Sequence, residues 1–505
     1  MSFLLSLMII IPVVGAVFQA IVPKQKKDLV DTASGLSALI SSSLAGFIGI
    51  FFALVIRSNW VSPGELTQKI AWLSSYSIYY EVGVDGLNLL LVLGLSLLFP
   101  ILIASEWKRE SGRRGIQGLL LLLQSALFGT VCSYDLFLQF FFWSLSALLI
   151  YFLVGMWGGR GRERTAVRYA VNALLGNAAL FVALLLVYYA VDPHTFSIQE
   201  LSPSKLMGKN LILFGKTHDL SSLVFLLACA GMVLRLPVWP VHGWLSDLAE
   251  RAPQSVVAAI YGGMIPVGFY VFLRQAYVLY RPDLEIRSNW MIAIGILSMT
   301  MGALGAVGQR QLRGLLAQLC LVQSGFSLIG IASLSATGLV GAMIQSVAVG
   351  LGLAGLALFV ESVLSRVKQD YFKGEKACLS GFAKKAPVMA LFSGVFMLTV
   401  MNMPASGSFV GASLLMVGGY SVHPMILLAA VGMIFLMSVS LLSMYRRVFF
   451  GQELNGGANG MVDLSFAEKA YLIPLVLALL VMGFYPKPII EIMHTAVAAM
   501  LAGKG

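Results

Sequence analysis

The sequence predicts an all-α polytopic membrane protein of about fourteen transmembrane helices. Of its 505 residues, 58% are hydrophobic and only 11% charged, with mean hydropathy +0.87. Apolar runs of about 18 residues or more recur along the whole chain, each long enough to cross a bilayer as a helix. In addition, two spans are interrupted by proline in corresponding places, five spans apart. That spacing predicts two inverted five-helix repeats with broken helices in spans 7 and 12.

This composition excludes a soluble enzyme of such size. The net charge of +11 lies in short loops and reads as a topology signal, with no nucleic acid expected as a partner. The four cysteines, Cys132, Cys229, Cys320 and Cys378, show no metal-ligand or cluster spacing. With no basic leader region or clear cleavage site, the first apolar segment reads as a retained span.

In chain order, the expected span cores are 3–22, 33–56, 84–105, 115–132, 134–156, 167–190, 220–243, 254–279, 288–308, 312–334, 336–364, 388–418, 424–445 and 466–485. They divide the chain into residues 1–110 (spans 1–3), 111–280 (first repeat, spans 4–8), 281–450 (second repeat, spans 9–13) and 451–505 (C-terminal loop and span 14). The longest loop, near Asp192 to Asp219, is too short for a folded soluble domain. Odd loops are mostly basic: Lys24, Lys26 and Lys27; Lys108, Arg109, Arg113 and Arg114; Arg160, Arg162 and Arg164; Arg310 and Arg313; Arg366, Lys368, Lys373, Lys376, Lys384 and Lys385; Arg446 and Arg447. The seventh loop, with Asp247, Glu250 and Arg251, is the weak member. The positive-inside rule then places both termini on the non-cytoplasmic side of a bacterial inner membrane.

The first break lies in VLRLPVWPVHGWLSDLAERAP, Val233 to Pro253. Pro237 and Pro240 lack N–H groups, so the carbonyls of Val233 and Leu236 lose their helical donors just beside Arg235. Freed carbonyls and a charge cannot face lipid, so this stretch predicts a buried polar axis. The second break, MLTVMNMPASGSFVGASLLM, turns at Pro404 with Gly407 and Gly411 following.

FFFWS (Phe140 to Ser144), LPVWPVHGWLSD (Leu236 to Asp247) and MPASGSFVGAS (Met403 to Ser413) resemble signatures of the proton-translocating antiporter-like family. VDGLNLLL (Val84 to Leu91) and RGLLAQLCLVQSGFSLIGI (Arg313 to Ile331) resemble its third and tenth spans. That family supplies large membrane subunits of NADH:quinone oxidoreductase (complex I) and of Mrp cation/proton antiporters. The resemblance covers essentially the whole chain, and Phe409 to Gly411 (FVG) favours the subunit M branch. It implies L-, N-, K- and J-type membrane partners, with NADH, flavin, iron–sulfur clusters and quinone held by partner subunits. The chain has no glycine-rich nucleotide loop or cysteine framework of its own.

The family moves protons along buried ionisable groups, and the same resemblance shows most of them replaced here. The expected glutamate after FFFW is Ser144, and the lysine before the break is Arg235. Pro266 stands for a lysine, Gln323 and Val349 for histidines, and Ala412 for a glutamate. A buried lysine can take and give a proton, whereas an arginine stays charged. The donors of Arg235 are expected on broken-helix carbonyls, Gln139, Asp135 or water. Asp135, Gln139 and Ser146 share one helical face, either as a polar stripe or as interface and packing residues.

His242 follows the first break, either as a titrating group or as part of a structural turn. Gln124, Asn172, Asn177, Gln318, Gln345 and Asn402 line water or bond neighbouring helices. Arg168, Arg274 and Glu361 are expected at the membrane interface. The proton-path candidates are thus Arg235, His242, Asp135, Gln139, Ser144 and Gln323, with helix breaks at Pro237, Pro240 and Pro404.

Three roles follow from this pattern. The chain is an M-like subunit of a complex I assembly with an impaired or absent local proton path, a non-conducting structural paralogue, or a subunit of an Mrp antiporter or inorganic-carbon uptake complex.

Overall fold

The computed structural model describes residues 2–21, 28–58, 66–107, 114–213, 216–367, 371–373, 379–420, 422, 424–452 and 461–502. Of the expected topogenic and cysteine positions, Lys24, Lys26, Lys27, Lys108, Arg109, Arg113, Lys368, Lys376 and Cys378 lie outside the described residues.

Helices α1 (Ser2–Ile21) and α2 (Asp28–Ser58) precede a hairpin of β1 (Thr67–Leu73) and β2 (Ile78–Gly83). Then come α3 (Leu89–Trp107), α4 (Arg114–Cys132), α5 (Leu136–Trp157) and α6 (Arg162–Ala190). A second hairpin, β3 (Asn210–Leu213) with β4 (Lys216–Asp219), leads into α7 (Leu220–Arg235). Next are α8 (Gly243–Arg251), α9 (Gln254–Ala259), a π-turn (Ile260–Met264) and α10 (Ile265–Leu279). α11 (Arg281–Gly308), α12 (Leu312–Ala332), α13 (Ala336–Val367), α14 (Pro387–Val400) and α15 (Gly407–Tyr420) follow. The chain ends with α16 (Pro424–Phe450), α17 (Phe466–Phe484) and α18 (Lys487–Leu501).

Among the described residues, twelve helical segments are long and apolar enough to cross a membrane. The two expected spans missing from that set are the proline-broken ones. One consists of α7 and α8 and the other of α14 and α15, each joined by non-helical backbone. The order of three long helices, a broken pair and another long helix occurs twice, over α4–α10 and again over α11–α16.

Helix starts follow local chemistry. Asp135 caps α5 by accepting from the N–H groups of Phe137 and Leu138, and Asp219 caps α7 through Ser222. Ser465 and Glu468 form a reciprocal capping box at α17. The π-turn precedes Pro266, which cannot donate a helical N–H; Ile265 N–H instead reaches back to Ile260 O. This irregularity was not foreseen in span 8, and neither hairpin was foreseen at all. Both hairpins lie between spans, where turn-rich polar sequence hides a short period-2 pattern.

The loops sort to opposite ends. At one end, Tyr134 N–H donates to Glu81 O (2.8 Å) and Ile198 N–H to Tyr134 O (2.8 Å), joining even loops. At the other, Gly159 N–H donates to Arg251 O (2.7 Å), Phe372 N–H to Arg310 O (3.0 Å), and Arg366 pairs with Glu468 (2.8 Å). The centre of the molecule is formed by α9, the π-turn, α10, α12 and α13, which are buried almost throughout.

Candidate functional site: two broken helices and a buried arginine

Arg235 ends α7 and is 1% exposed. Its Nη1 donates to the carbonyl of Trp143 (2.8 Å) and to Asn177 Oδ1 (3.3 Å), while Nη2 donates to Ser146 Oγ (3.1 Å). The guanidinium lies 3.8 Å from the Trp143 ring centroid, so the indole face supplies further electrostatic stabilisation. No carboxylate is among these partners. Arg235 Nε is buried without a hydrogen bond.

Two close approaches create this pocket. A Cβ on Gly176 would stand 2.8 Å from Gly231 O and 3.1 Å from Arg235 Cγ. These glycines let α6 and α7 touch, which places Asn177 on Arg235. Similarly, a Cβ on Gly268 would meet the Trp143 indole at 2.9 Å, so a bare α10 surface accommodates the ring beneath the guanidinium.

This corrects the expected partners. Asp135 is spent on capping α5 and on the Tyr79 N–H (3.2 Å). Gln139 accepts from Gln275 Nε2 (3.0 Å). Of the expected stripe, only Ser146 reaches Arg235, because Asp135 and Gln139 lie about three and two turns before it along α5. The Ser144 hydroxyl is buried without a partner. Nor do the break carbonyls take the charge: Leu236 O, orphaned by Pro240, accepts Val238 N–H (2.8 Å) within the turn. Trp239 N–H donates to Ser298 Oγ on α11 (3.0 Å), anchoring the turn. His242 opens α8, half-buried, with Nδ1 unpartnered.

At the second break, Pro404 cannot donate to Val400 O, four residues back. Gln323 Nε2 on α12 supplies the missing donor (3.0 Å). Gln345 Nε2 on α13 then bonds both Gln323 Oε1 (2.8 Å) and Asn402 Oδ1 (2.7 Å). Asn402 sits at φ +56° and Ala405 at φ +73°, turning the chain between α14 and α15. A Cβ on Gly411 would lie 2.5 Å from Gln345 N, so the glycine of FVG brings α15 against α13. The three amides form a neutral chain where the family's resemblance implies a histidine. Val349 and Ala412 are apolar and buried beside it.

A third cluster lies at the even-loop end. Arg274, expected at the membrane interface, is 5% exposed and packed within the protein. Its Nη1 pairs with Asp85 Oδ2 (2.8 Å) and donates to Tyr270 Oη (2.8 Å), with the Tyr134 ring 4.2 Å away. Asp85 also accepts from the backbone of Leu87 and Asn88 and from Tyr134 Oη (2.7 Å). The available signal was Asp85-x-x-Asn88, a helix-start pattern whose free carboxylate oxygen needs a cation. Arg168 pairs with Asp247 and is half-exposed, as an interface residue would be.

The profile of the family described as NADH:quinone oxidoreductase/Mrp antiporter, TM matches residues 133–438, which include both breaks, Arg235 and the amide chain. The chain belongs to that family. The sequence is 25% identical to NADH-quinone oxidoreductase subunit M of Rhodobacter capsulatus, over 99% of this chain and 97% of the relative. It is 28% identical to subunit M of Escherichia coli (strain K12), over 89% and 90%. Among solved structures, a chain of respiratory complex I from Thermus thermophilus superposes with TM-score 0.84 at 21% identity, covering 99% of this chain and all of that one. A chain of the Mrp complex from Dietzia sp. DQ12-45-1b superposes at 0.83 with 19% identity over all of both chains. This family member therefore keeps the antiporter-like fold while holding one fixed cation at its first break and neutral amides at its second.

Proposed function

We propose that the chain is an M-type membrane subunit of an NADH:quinone oxidoreductase whose own axis does not relay protons. The single observation carrying this reading is the coordination of Arg235 by a carbonyl, an amide and a hydroxyl, with no carboxylate among these partners. A guanidinium so held keeps its charge across the working pH range, and a relay needs a group that alternates. The amide chain of Gln323, Gln345 and Asn402 likewise offers hydrogen bonds without a titrating site.

In this reading L-, N-, K- and J-type subunits are the neighbours in the membrane arm. NADH, flavin, iron–sulfur clusters and quinone reside on partner subunits, and redox chemistry occurs there. The clustering of odd loops at one end, with their basic residues, supports termini on the non-cytoplasmic side of an inner membrane. The recurring element order supports the division into spans 1–3, two inverted five-helix repeats and a C-terminal span.

The test compares proton transport by the reconstituted complex carrying native chain or Arg235→Ala. Equal redox-driven pumping with assembly intact is expected once the passive leak measured without NADH is subtracted; a large loss of that corrected transport would overturn the non-conducting reading. Tagged purification tests the assembly. Redox subunits should copurify, whereas small Mrp-type subunits or a large soluble carbon-uptake partner in their place would refute the complex I placement.

A further inference from the structure

We propose that the slot between α2, α3, α13, α17 and α18 is a binding site for one anionic phospholipid. A cavity of about 440 Å³ opens between these helices, lined by Gly46, Phe47, Gly94, Leu97, Val347 and Ala478 among others. A second, of about 180 Å³, continues it and shares Leu90, Leu93 and Ile489. Along α3 the two extend from Leu89 to Ile101. At 1.5 Å per helical residue that is ~18 Å, longer than the ~15 Å of one leaflet's hydrocarbon.

The lining selects the occupant. Apart from Ser43 and Ser96 the walls of the larger cavity are apolar, which suits an acyl chain. Ala478 keeps the α17 wall short, while Gly46 and Gly94 let the flanking helices close on one another, since a Cβ on Gly46 would meet Ser96 O at 2.8 Å and one on Gly94 would meet Val347 at 3.2 Å. The α2 face beside the slot is exposed and apolar at Leu44, Phe47, Ile50 and Leu54, so the slot opens sideways into lipid.

Charge selects the headgroup. Arg57, in the last turn of α2, lines the end of the second cavity beside Gly86 and Pro488. It is exposed and, among the described residues, has no acidic partner. Lys487, next in the chain to Pro488, is paired with Glu491 (3.8 Å), which leaves Arg57 to meet the headgroup. A phosphate at headgroup depth thus meets a guanidinium that can bind it bidentately while the acyl chain lies in the slot.

The experiment is native mass spectrometry of the purified full-length protein with added dioleoyl phosphatidylglycerol or dioleoyl phosphatidylcholine. Native protein should retain one phosphatidylglycerol in preference to phosphatidylcholine by about fivefold, and Arg57→Gln should erase that preference. Ala478→Trp, which fills the slot from α17, should abolish retention of both lipids. Leu93→Trp repeats that test from α3, with helicity by circular dichroism showing that either variant folds. An unchanged lipid ratio in Arg57→Gln, or unchanged retention in both folded tryptophan variants, would overturn the proposal.

Discussion

Gln323 donates to the carbonyl of Val400, the acceptor that Pro404 leaves without a helical partner. A side chain on α12 thereby completes the backbone of a broken helix two spans away. The same amide oxygen receives Gln345, so one residue ties α12, α13 and α14 together.

Gln323→Leu should therefore destabilise the protein by about 1–3 kcal/mol, the cost of stranding a buried carbonyl together with the Gln345 donor. Gln323→Glu retains an acceptor for Gln345 but not the donor to Val400. Thermal unfolding in detergent should rank native above both variants, and equal melting temperatures for native and Gln323→Leu would refute the bracing role.

Arg235 should respond differently to size and to charge. Arg235→Met keeps volume and removes the desolvated cation, and such exchanges are commonly neutral or stabilising. Arg235→Lys retains charge but cannot span Trp143 O, Asn177 and Ser146 together. Chemical denaturation should place Met at or above native and Lys below both.

The pair Asp85–Arg274 is a strained place to leave half-made. Asp85→Asn should cost about 3–5 kcal/mol because it strands the buried Arg274 cation, and Arg274→Gln should cost less because the Asp85 carboxylate it strands is partly exposed. The double substitution should cost less than the two singles added together, and a double-mutant cycle reads that coupling directly. Additive losses would show that the two groups act independently.

Gly231 limits how far the α6–α7 seam can change. A Cβ there would lie 2.5 Å from Leu180 Cγ and 2.8 Å from Gly176 O. Gly231→Val should cost about 1–3 kcal/mol by overpacking and move Asn177 off Arg235. A crystal or cryo-EM structure of the variant with the Asn177–Arg235 contact intact would contradict this.

The first hairpin should loosen as pH rises. Burial pushes the Glu81 carboxyl above its ordinary range, against the opposing pull of Lys69 at 3.7 Å. A raised folded-state value means the folded form holds the proton more tightly than the unfolded one. Its stabilising contribution is complete below the ordinary carboxylate range and is lost as pH climbs through the raised value. Hydrogen exchange over residues 67–83, corrected for intrinsic rates, should show falling protection with rising pH, and Glu81→Gln should flatten the trend.

Much of the architecture is legible in the sequence because bilayer crossing leaves a one-dimensional signal. Apolar runs mark the spans, Pro237, Pro240 and Pro404 mark both breaks, and Arg235 marks the axis. Side-chain pairing is less legible. Asn177 and Arg235 meet only because two glycines on different helices allow contact, and no periodicity along one helix reports that. That Arg274 closes an apolar span does not reveal that it is buried in an ion pair. Its partner stands 189 residues earlier in the chain. The hairpins escaped because hydropathy records membrane crossing and not the short pairings that cap it.

The lone guanidinium at the first break has a further consequence. At an effective dielectric of 20, a second unit cation brought within 4 Å of it meets about 4 kcal/mol of repulsion. A hydronium ion or sodium ion entering from either side climbs that barrier, and no neighbouring carboxylate lowers it. On the non-conducting reading proposed above, the broken helix works as an electrostatic seal: where a pump would open a passage, the chain would keep the membrane tight, so that a gradient built elsewhere in an assembly would not leak back through it.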